Sequence, residues 1–435
     1  MRSLRALAGK EWRELLASRS FWLLLAIVGP LTGHAFITAV ESYAEMSGAA
    51  GAPAALPQGL TPLDGIFVPA FGAYDLAITL LFPFVAIRLV ASEKESGALK
   101  LMLQSPAGLP AMMAAKGVVL AAGWALAWLP GLAAVALWRI YGGHVYAPEL
   151  LNLLAGHALR FVLSAGVAVA AAAVAPGAAS AAIATLAFTV GTWALDFVAM
   201  ARGGVLQQIA AYTPAAALRG FEQGQLRAGA AAVTLLVGLA GFAFAAVWIS
   251  PESHRRRLRN TAIVAAAAGA AVWSAALMRP SWDLSENRRN SFPRADEQAL
   301  RRIGAPLRVT VNLAAEDPRL TDLERNILAK LDRVLPSVRV EYAARTRSGL
   351  FEGDRYGEIW YEFNGHKAMN RSTTEPIVLD TLYSLAGVAA PNRGGEPDYP
   401  GYPLNARPTG ATLLYYLFWP AAVIGAGWLH FRYRS

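Results

Sequence analysis

The sequence predicts a polytopic α-helical membrane protein of about eight transmembrane helices, with a small α/β extracytoplasmic domain between the last two. Three observations carry this. Apolar residues make up 55% of the 435 residues and charged residues only 16%, where a soluble domain carries roughly a quarter charged. The apolar residues gather in Ala/Leu/Val/Gly runs of roughly 20 residues, the length that crosses a bilayer core. Between Pro280 and Arg407 the composition turns to that of a soluble α/β domain.

Residues 1–19 form a basic amphipathic stretch, with Leu4, Leu7, Trp12, Leu15 and Leu16 interleaved among Arg2, Arg5, Lys10, Arg13 and Arg19. A helix of that pattern lies on a membrane surface. Because it runs straight into a full-length span, it is not read as a cleavable signal peptide. A six-helix unit is expected over 20–250, with spans at about 21–40, 71–89, up to 138, 150–174, 181–200 and up to 248. Pro176-Gly177 breaks the fourth span from the fifth, and Ala210–Phe221 is a stretch able to dip into the interface. A basic linker over 251–260 holds His254-Arg255-Arg256-Arg257-Leu258-Arg259. An alanine-rich seventh span follows over 261–279, the α/β domain over 280–409, and an eighth span with a basic tail over 410–435.

Charge sets the orientation. Lys and Arg concentrate in the cytoplasmic loops of membrane proteins. With the N-terminus inside, Lys94, Lys100, the Arg255 cluster and Arg434 all fall on the cytoplasmic side, and the acidic first loop with Glu41, Glu45 and Asp64 falls outside. Both termini are then cytoplasmic and residues 280–409 periplasmic, in a bacterial inner membrane. The net charge of +9 is accounted for by this bias, so no nucleic-acid partner is expected. The absence of cysteine excludes disulfides and thiolate metal sites.

Within 280–409, Leu307–Leu313 alternates like a strand, Leu320, Leu323, Ile327, Leu328, Leu331 and Leu335 recur at helical spacing, and Val338–Tyr342 alternates again. That order predicts a parallel strand pair with a right-handed crossover. Ile359–Phe363 meets Asn364-Gly365, a two-residue hairpin signal. One more helix is expected over 377–385.

No catalytic constellation is present: neither H-E-x-x-H, nor G-x-S-x-G, nor the phosphate-cradling G-x-x-x-x-G-K-[ST] occurs. The six histidines (34, 144, 157, 254, 366, 430) show no ligand spacing. The chain is therefore not expected to be an enzyme, and no cofactor or metal is assigned to it. Any ATP-driven process must use ATP and Mg on a partner subunit. Asp75, Arg160 and Asp196 stand out as ionisable residues within spans, with His34 and His157 as weaker cases. They are either intramembrane functional groups or side chains that snorkel from span ends to water.

Ser92-Glu93-Lys94-Glu95-Ser96-Gly97-Ala98-Leu99-Lys100, followed by Leu103-Gln104-Ser105-Pro106, resembles the cytoplasmic segment of ABC-2 type permeases. In that family the segment contacts the ATPase subunit, so the resemblance implies that Glu93, Glu95, Gly97, Leu99, Ser105 and Pro106 form the coupling element. Lys10-Glu11-Trp12 resembles the family's elbow helix, and Tyr212-Thr213-Pro214 with Phe221-Glu222-Gln223-Gly224 its outer re-entrant region, with Gln where Arg is frequent. Trp282-Asp283-Leu284-Ser285-Glu286-Asn287-Arg288-Arg289-Asn290-Ser291-Phe292 resembles the opening of the auxiliary component of gliding-motility-type ABC systems. Together these imply a permease joined to a shortened auxiliary domain. The expected partners are an ABC ATPase subunit, a second permease copy or paralogue, the lipid bilayer and a periplasmic protein. The alternative is an envelope scaffold that transmits force without moving a substrate.

Overall fold

The computed structural model describes residues 2–48, 59–104, 108–202, 206, 209–210, 212–303, 306–314, 317–343, 355–392 and 399–433. Among the described residues, seven helices are long and apolar enough to cross a membrane: Arg19–Met46 (α2), Leu63–Glu95 (α3), Leu109–Ile140 (α5), Ala147–Val174 (α6), Ala178–Ala199 within a helix reaching Arg202 (α7), Ala228–Ile249 (α9) and Ala411–Arg432 (α14). The chain is a multi-pass helical membrane protein with a small, separate sheet region. Shorter helices are Arg2–Leu16 (α1), Ala98–Met102 (α4) and Pro214–Glu222 (α8).

The expected seventh span is met by a helix over His254–Ala276 (α10). Its first turns hold the basic cluster, so its apolar part, from Thr261, is shorter than the other spans. It nevertheless runs back along the whole of α9. The strand Gln225–Arg227 (β1) before α9 pairs antiparallel with Ser281–Asp283 (β2) after α10, and Ala228 donates its N–H to the Pro280 carbonyl at 2.9 Å.

Helix packing in a bilayer gains little from hydrophobicity, so small residues that admit close approach decide it. Gly166 of α6 lies against the backbone of Gly238 and Gly241 of α9, with no space for a side chain at any of the three. The last helix docks on the first span: a Cβ on Gly29 would overlap the Trp419 indole, and one on Gly33 the Tyr415 ring. Trp419 Nε1 donates to the Leu25 carbonyl at 2.7 Å and Tyr415 OH to the Pro130 carbonyl at 2.8 Å.

The helix ends sort onto two faces. One face gathers α1, the C-termini of α3 and α6 and the N-termini of α2, α5 and α7. The other gathers Ser47, Asp64, Tyr141, Glu149 and Gly224, which meet the chain over 284–289 and 404–409.

The sheet region has the order β4-β3-β5-β6. Leu307–Val311 (β3) and Val338–Tyr342 (β4) are parallel and joined by a helix over 318–334, as the spacing predicts. Ile359–Phe363 (β5) lies antiparallel to β3 and turns into His366–Asn370 (β6) through Asn364 and Gly365, at φ 47° and 83°. Positive φ at both central residues is the type I′ geometry that an Asn-Gly pair tolerates. Leu307, Val309 and Val311 face inward with Ile359, Tyr361 and Phe363, and are covered by Leu323, Ile327, Leu331 and Leu382. Each such burial contributes about 1.5–3 kcal/mol. Helices over Arg294–Arg301 (α11) and Glu375–Ala386 (α13) complete the region, with the 318–334 helix as α12.

Candidate functional site

On the first face, a buried ionic hub joins three elements. Lys116, from α5, is wholly buried, donates hydrogen bonds to Glu11 of α1 at 2.8 Å and to the Leu89 carbonyl at 2.7 Å, and ion-pairs with Glu93 of α3 at 2.9 Å. Lys10 adds ion pairs to Glu93, to Glu11 at 3.3 Å and to Glu14 at 3.0 Å. Burial by itself disfavours the charged Lys10, but the hydrogen bond to Glu93 and the Glu11 charge outweigh it and raise its pKa. Burial raises that of Glu11 against the opposing pull of Lys116. The oxygens of Glu11, Glu14 and Glu93 lie within 4.8 Å of one another, the donor set of a cation site. Two lysine ammonium groups, of Lys10 and Lys116, already stand among them and offset two of the three charges.

The next two residues cap two helices. Lys94 Nζ donates to the carbonyls of Ala172, Ala173 and Ala175 at 3.0, 2.9 and 2.7 Å, closing the C-terminus of α6. Glu95 Oε1 accepts from the Ala178 N–H at 3.4 Å, at the N-terminus of α7. A cation at a helix C-terminus and an anion at an N-terminus both complement the helix dipole. The six-residue segment 92–97 therefore ties α1, α3, α5, α6 and α7 together.

This differs from an exposed docking strip. Glu93 is 2% exposed, so its carboxylate is an internal clamp and not part of a surface. Glu95 is exposed, Gly97 turns the chain at φ 74° where a Cβ would be strained, and Leu99 is half-buried against the bundle. Leu101 beside it is 71% exposed on α4. Ser105 and Pro106 lie outside the described residues.

Of the intramembrane candidates, two meet. Arg160 of α6 pairs with Asp75 of α3 at 2.8 Å and donates to Thr79 Oγ1 at 3.3 Å. His157 stands 3.7 Å from the same carboxylate, ringed by Phe71, Tyr74 and Trp128. Paired charges inside the bundle, not snorkelling ones, are what the geometry gives. Asp196 is elsewhere, held by both terminal nitrogens of Arg219 at 2.6 and 2.7 Å; that hydrogen-bonded pair raises the Arg219 pKa. Glu222, on α8 with Arg219, has its pKa raised by burial, and the charges of His157 and Arg160 act against this. It thus lies in the field of both pairs.

The second face is a collar built from the 282–292 motif. Asp283 accepts from the Ser285 N–H at 3.0 Å, from Asn290 at 3.2 Å and from the Ser285 and Ser291 hydroxyls, which shapes the loop. The loop then grips the bundle. Arg289 Nη1 bridges both Asp64 oxygens at 2.6 and 2.7 Å, Asn287 donates to the Gly59 carbonyl at 2.7 Å, and Asn290 to Gln223 at 2.8 Å. Glu149 accepts from the Glu286 N–H at 2.7 Å, while the Glu286 side chain meets His144 at 2.8 Å and Tyr402 at 3.0 Å.

Lys116 is absent from the sequence-derived candidates, although it is the lone charge in the apolar run 109–138 and so carried a signal. Glu149 carried none, and Glu286 and Arg289 stood out only as members of the 282–292 motif, since the partners of all three are far away in sequence. Set against family models, curated proteins and solved structures, the chain matches none of them.

Proposed function

We propose that the chain is the membrane subunit of an ABC transporter complex, of the ABC-2 permease kind joined to a gliding-motility-type auxiliary domain. In this reading it couples ATP hydrolysis on a separate subunit, which holds ATP and Mg, to substrate export or to motion of the sheet domain. One observation carries it: Leu101 projects 71% exposed from a short helix rooted in the Glu93–Lys116 hub and the two helix caps. An exposed apolar side chain on an anchored platform suits a partner's groove, and a push there reaches five helices at once.

The two-faced arrangement supports the orientation expected from charge. The hub face, with the Arg255 cluster and both chain ends, is cytoplasmic in a bacterial inner membrane, and 280–409 is periplasmic. The full-length pairing of α9 with α10 supports α10 as an eighth span. A second permease copy completes the complex.

The test is co-purification of the tagged chain from native membranes, followed by an ATPase assay. An ABC ATPase is expected to come down with the native chain and to be lost with Leu101→Asp, while the variant still folds. An ATPase that binds the variant as well as the native chain defeats the reading. The force-transmitting scaffold is favoured by the collar, which bolts the sheet domain to the bundle. It predicts a periplasmic partner and no ATP-dependent substrate movement in vesicles.

A further inference from the structure

A cleft of about 530 Å³ opens between the α9–α10 hairpin and the sheet domain. That is within the range of small-ligand sites, roughly 300–1,000 Å³. Its walls are of two kinds. Gly229, Ala230 and Ala276 give an apolar floor at the ends of α9 and α10, while β4 and α12 give the roof.

Arg227, Arg279 and Asp332 line it together. Each arginine has five N–H donors. Arg227 is seen to use Nε, on Gln225 at 2.9 Å, and Arg279 to use one terminal nitrogen, on the Pro336 carbonyl at 2.6 Å. Arg227 is solvent-exposed at the cleft, yet the protein packed around it lowers its pKa, and the Asp332 charge opposes this. Glu324 also lines the cleft and accepts from Tyr342 at 2.6 Å. A second recess of about 250 Å³ continues from it past Arg227 and Ala329. Both signs of charge therefore face one space.

The apolar floor runs on into the outer surface of α10, where Trp273 and Leu277 are 71% and 67% exposed. A ligand that is polar with both charges at one end and apolar at the other fits this continuity. A cation-only site would suit any anion; the carboxylate beside the arginines selects a zwitterion.

We propose that this cleft binds the phosphoethanolamine headgroup of a membrane phospholipid, its phosphate on Arg227 and Arg279, its ammonium on Asp332, and its acyl chains along α10. The assignment rests on reading the bundle as membrane-spanning with the cleft at one membrane surface; it does not require an ATPase.

The test uses the full chain reconstituted in bilayers of phosphatidylethanolamine, phosphatidylglycerol and phosphatidylcholine, then extracted and weighed intact by native mass spectrometry. Phosphatidylethanolamine is expected to be retained in preference to the other two. Arg227→Gln should lower retention about tenfold, and Asp332→Asn should remove the preference over phosphatidylglycerol. Ala329→Trp, which fills the cleft while leaving every charged side chain in the sequence, should act like Arg227→Gln. Equal retention by Arg227→Gln and Ala329→Trp overturns the site. Displacement of the lipid by free phosphoethanolamine at equal concentration overturns the membrane source. Because the chain has no cysteine, Asn364→Cys labelled with an impermeant maleimide reports the topology separately. Failure of the lipid site is thus distinguishable from failure of the transporter reading.

Discussion

Lys116 reaches Glu93 at 2.9 Å with neither side chain more than 2% exposed, and so fastens the third apolar helix to the end of the second. Removing one partner of a buried ion pair leaves the other charge dry and uncompensated, at a cost of about 3–5 kcal/mol. Lys116→Met leaves Glu11 and Glu93 with Lys10 still beside them, so it is expected to lower the thermal stability of the detergent-solubilised chain toward the lower end of that range. Lys116→Met combined with Glu93→Leu should recover part of the loss. A single variant that melts with the native protein means that the hub is not a clamp.

Gly29 and Trp419 make the second prediction. The indole occupies the space of a Cβ, so Gly29→Ala must displace it, and overpacking of this kind costs about 1–3 kcal/mol. The measurement is the emission maximum of Trp419 in a chain whose other tryptophans are replaced by phenylalanine. A red shift is expected, and an unchanged spectrum rejects the close docking of α14 on α2.

Arg289 and Asp64 make the third. They are 21% and 27% exposed and bonded through both carboxylate oxygens. In a double-mutant cycle with Arg289→Ala and Asp64→Ala, contacting pairs couple by about 0.5–3 kcal/mol. Hydrogen exchange over 282–292 is the sensitive readout, with faster exchange expected in each single variant and little further change in the double. Additive effects would show the two residues to act independently.

The fourth concerns pH. Asp317 is held down to about 2 by the hydrogen bond from Arg319, with Tyr356 OH adding another at 2.7 Å. A carboxyl whose folded pKa is depressed contributes stability that is complete above its unfolded value, roughly 3.9, and is lost as pH falls toward the folded one. The native chain should therefore lose stability between about pH 4 and 2, and Asp317→Asn should flatten that limb. The same slope in both proteins excludes Asp317 as its source.

Much of the fold is legible in the chain because it depends on local pattern. Apolar runs of bilayer length mark the spans, strict alternation marks β3 and β5, and Asn364-Gly365 marks the hairpin. Each rests on a period or a turn preference that a few neighbouring residues fix. The pairing of Asp75 with Arg160 was half legible: both stood out as charges in apolar runs, but nothing local joins residues 85 positions apart.

What only the tertiary structure decided is where the charged residues point. Glu93, Lys94 and Glu95 are consecutive, yet one enters the hub, one caps α6 and one caps α7. Sequence alone puts three adjacent charges on the cytoplasmic side as one segment, because an isolated charge belongs in water. Burying Glu93 becomes tolerable only when Lys116 and Lys10 arrive from elsewhere in the chain, and that meeting is a property of the packed bundle. The collar follows the same logic. The motif over 282–292 was visible as a string, but its grip on Asp64, Glu149 and Gln223 exists only once the helix ends share a face.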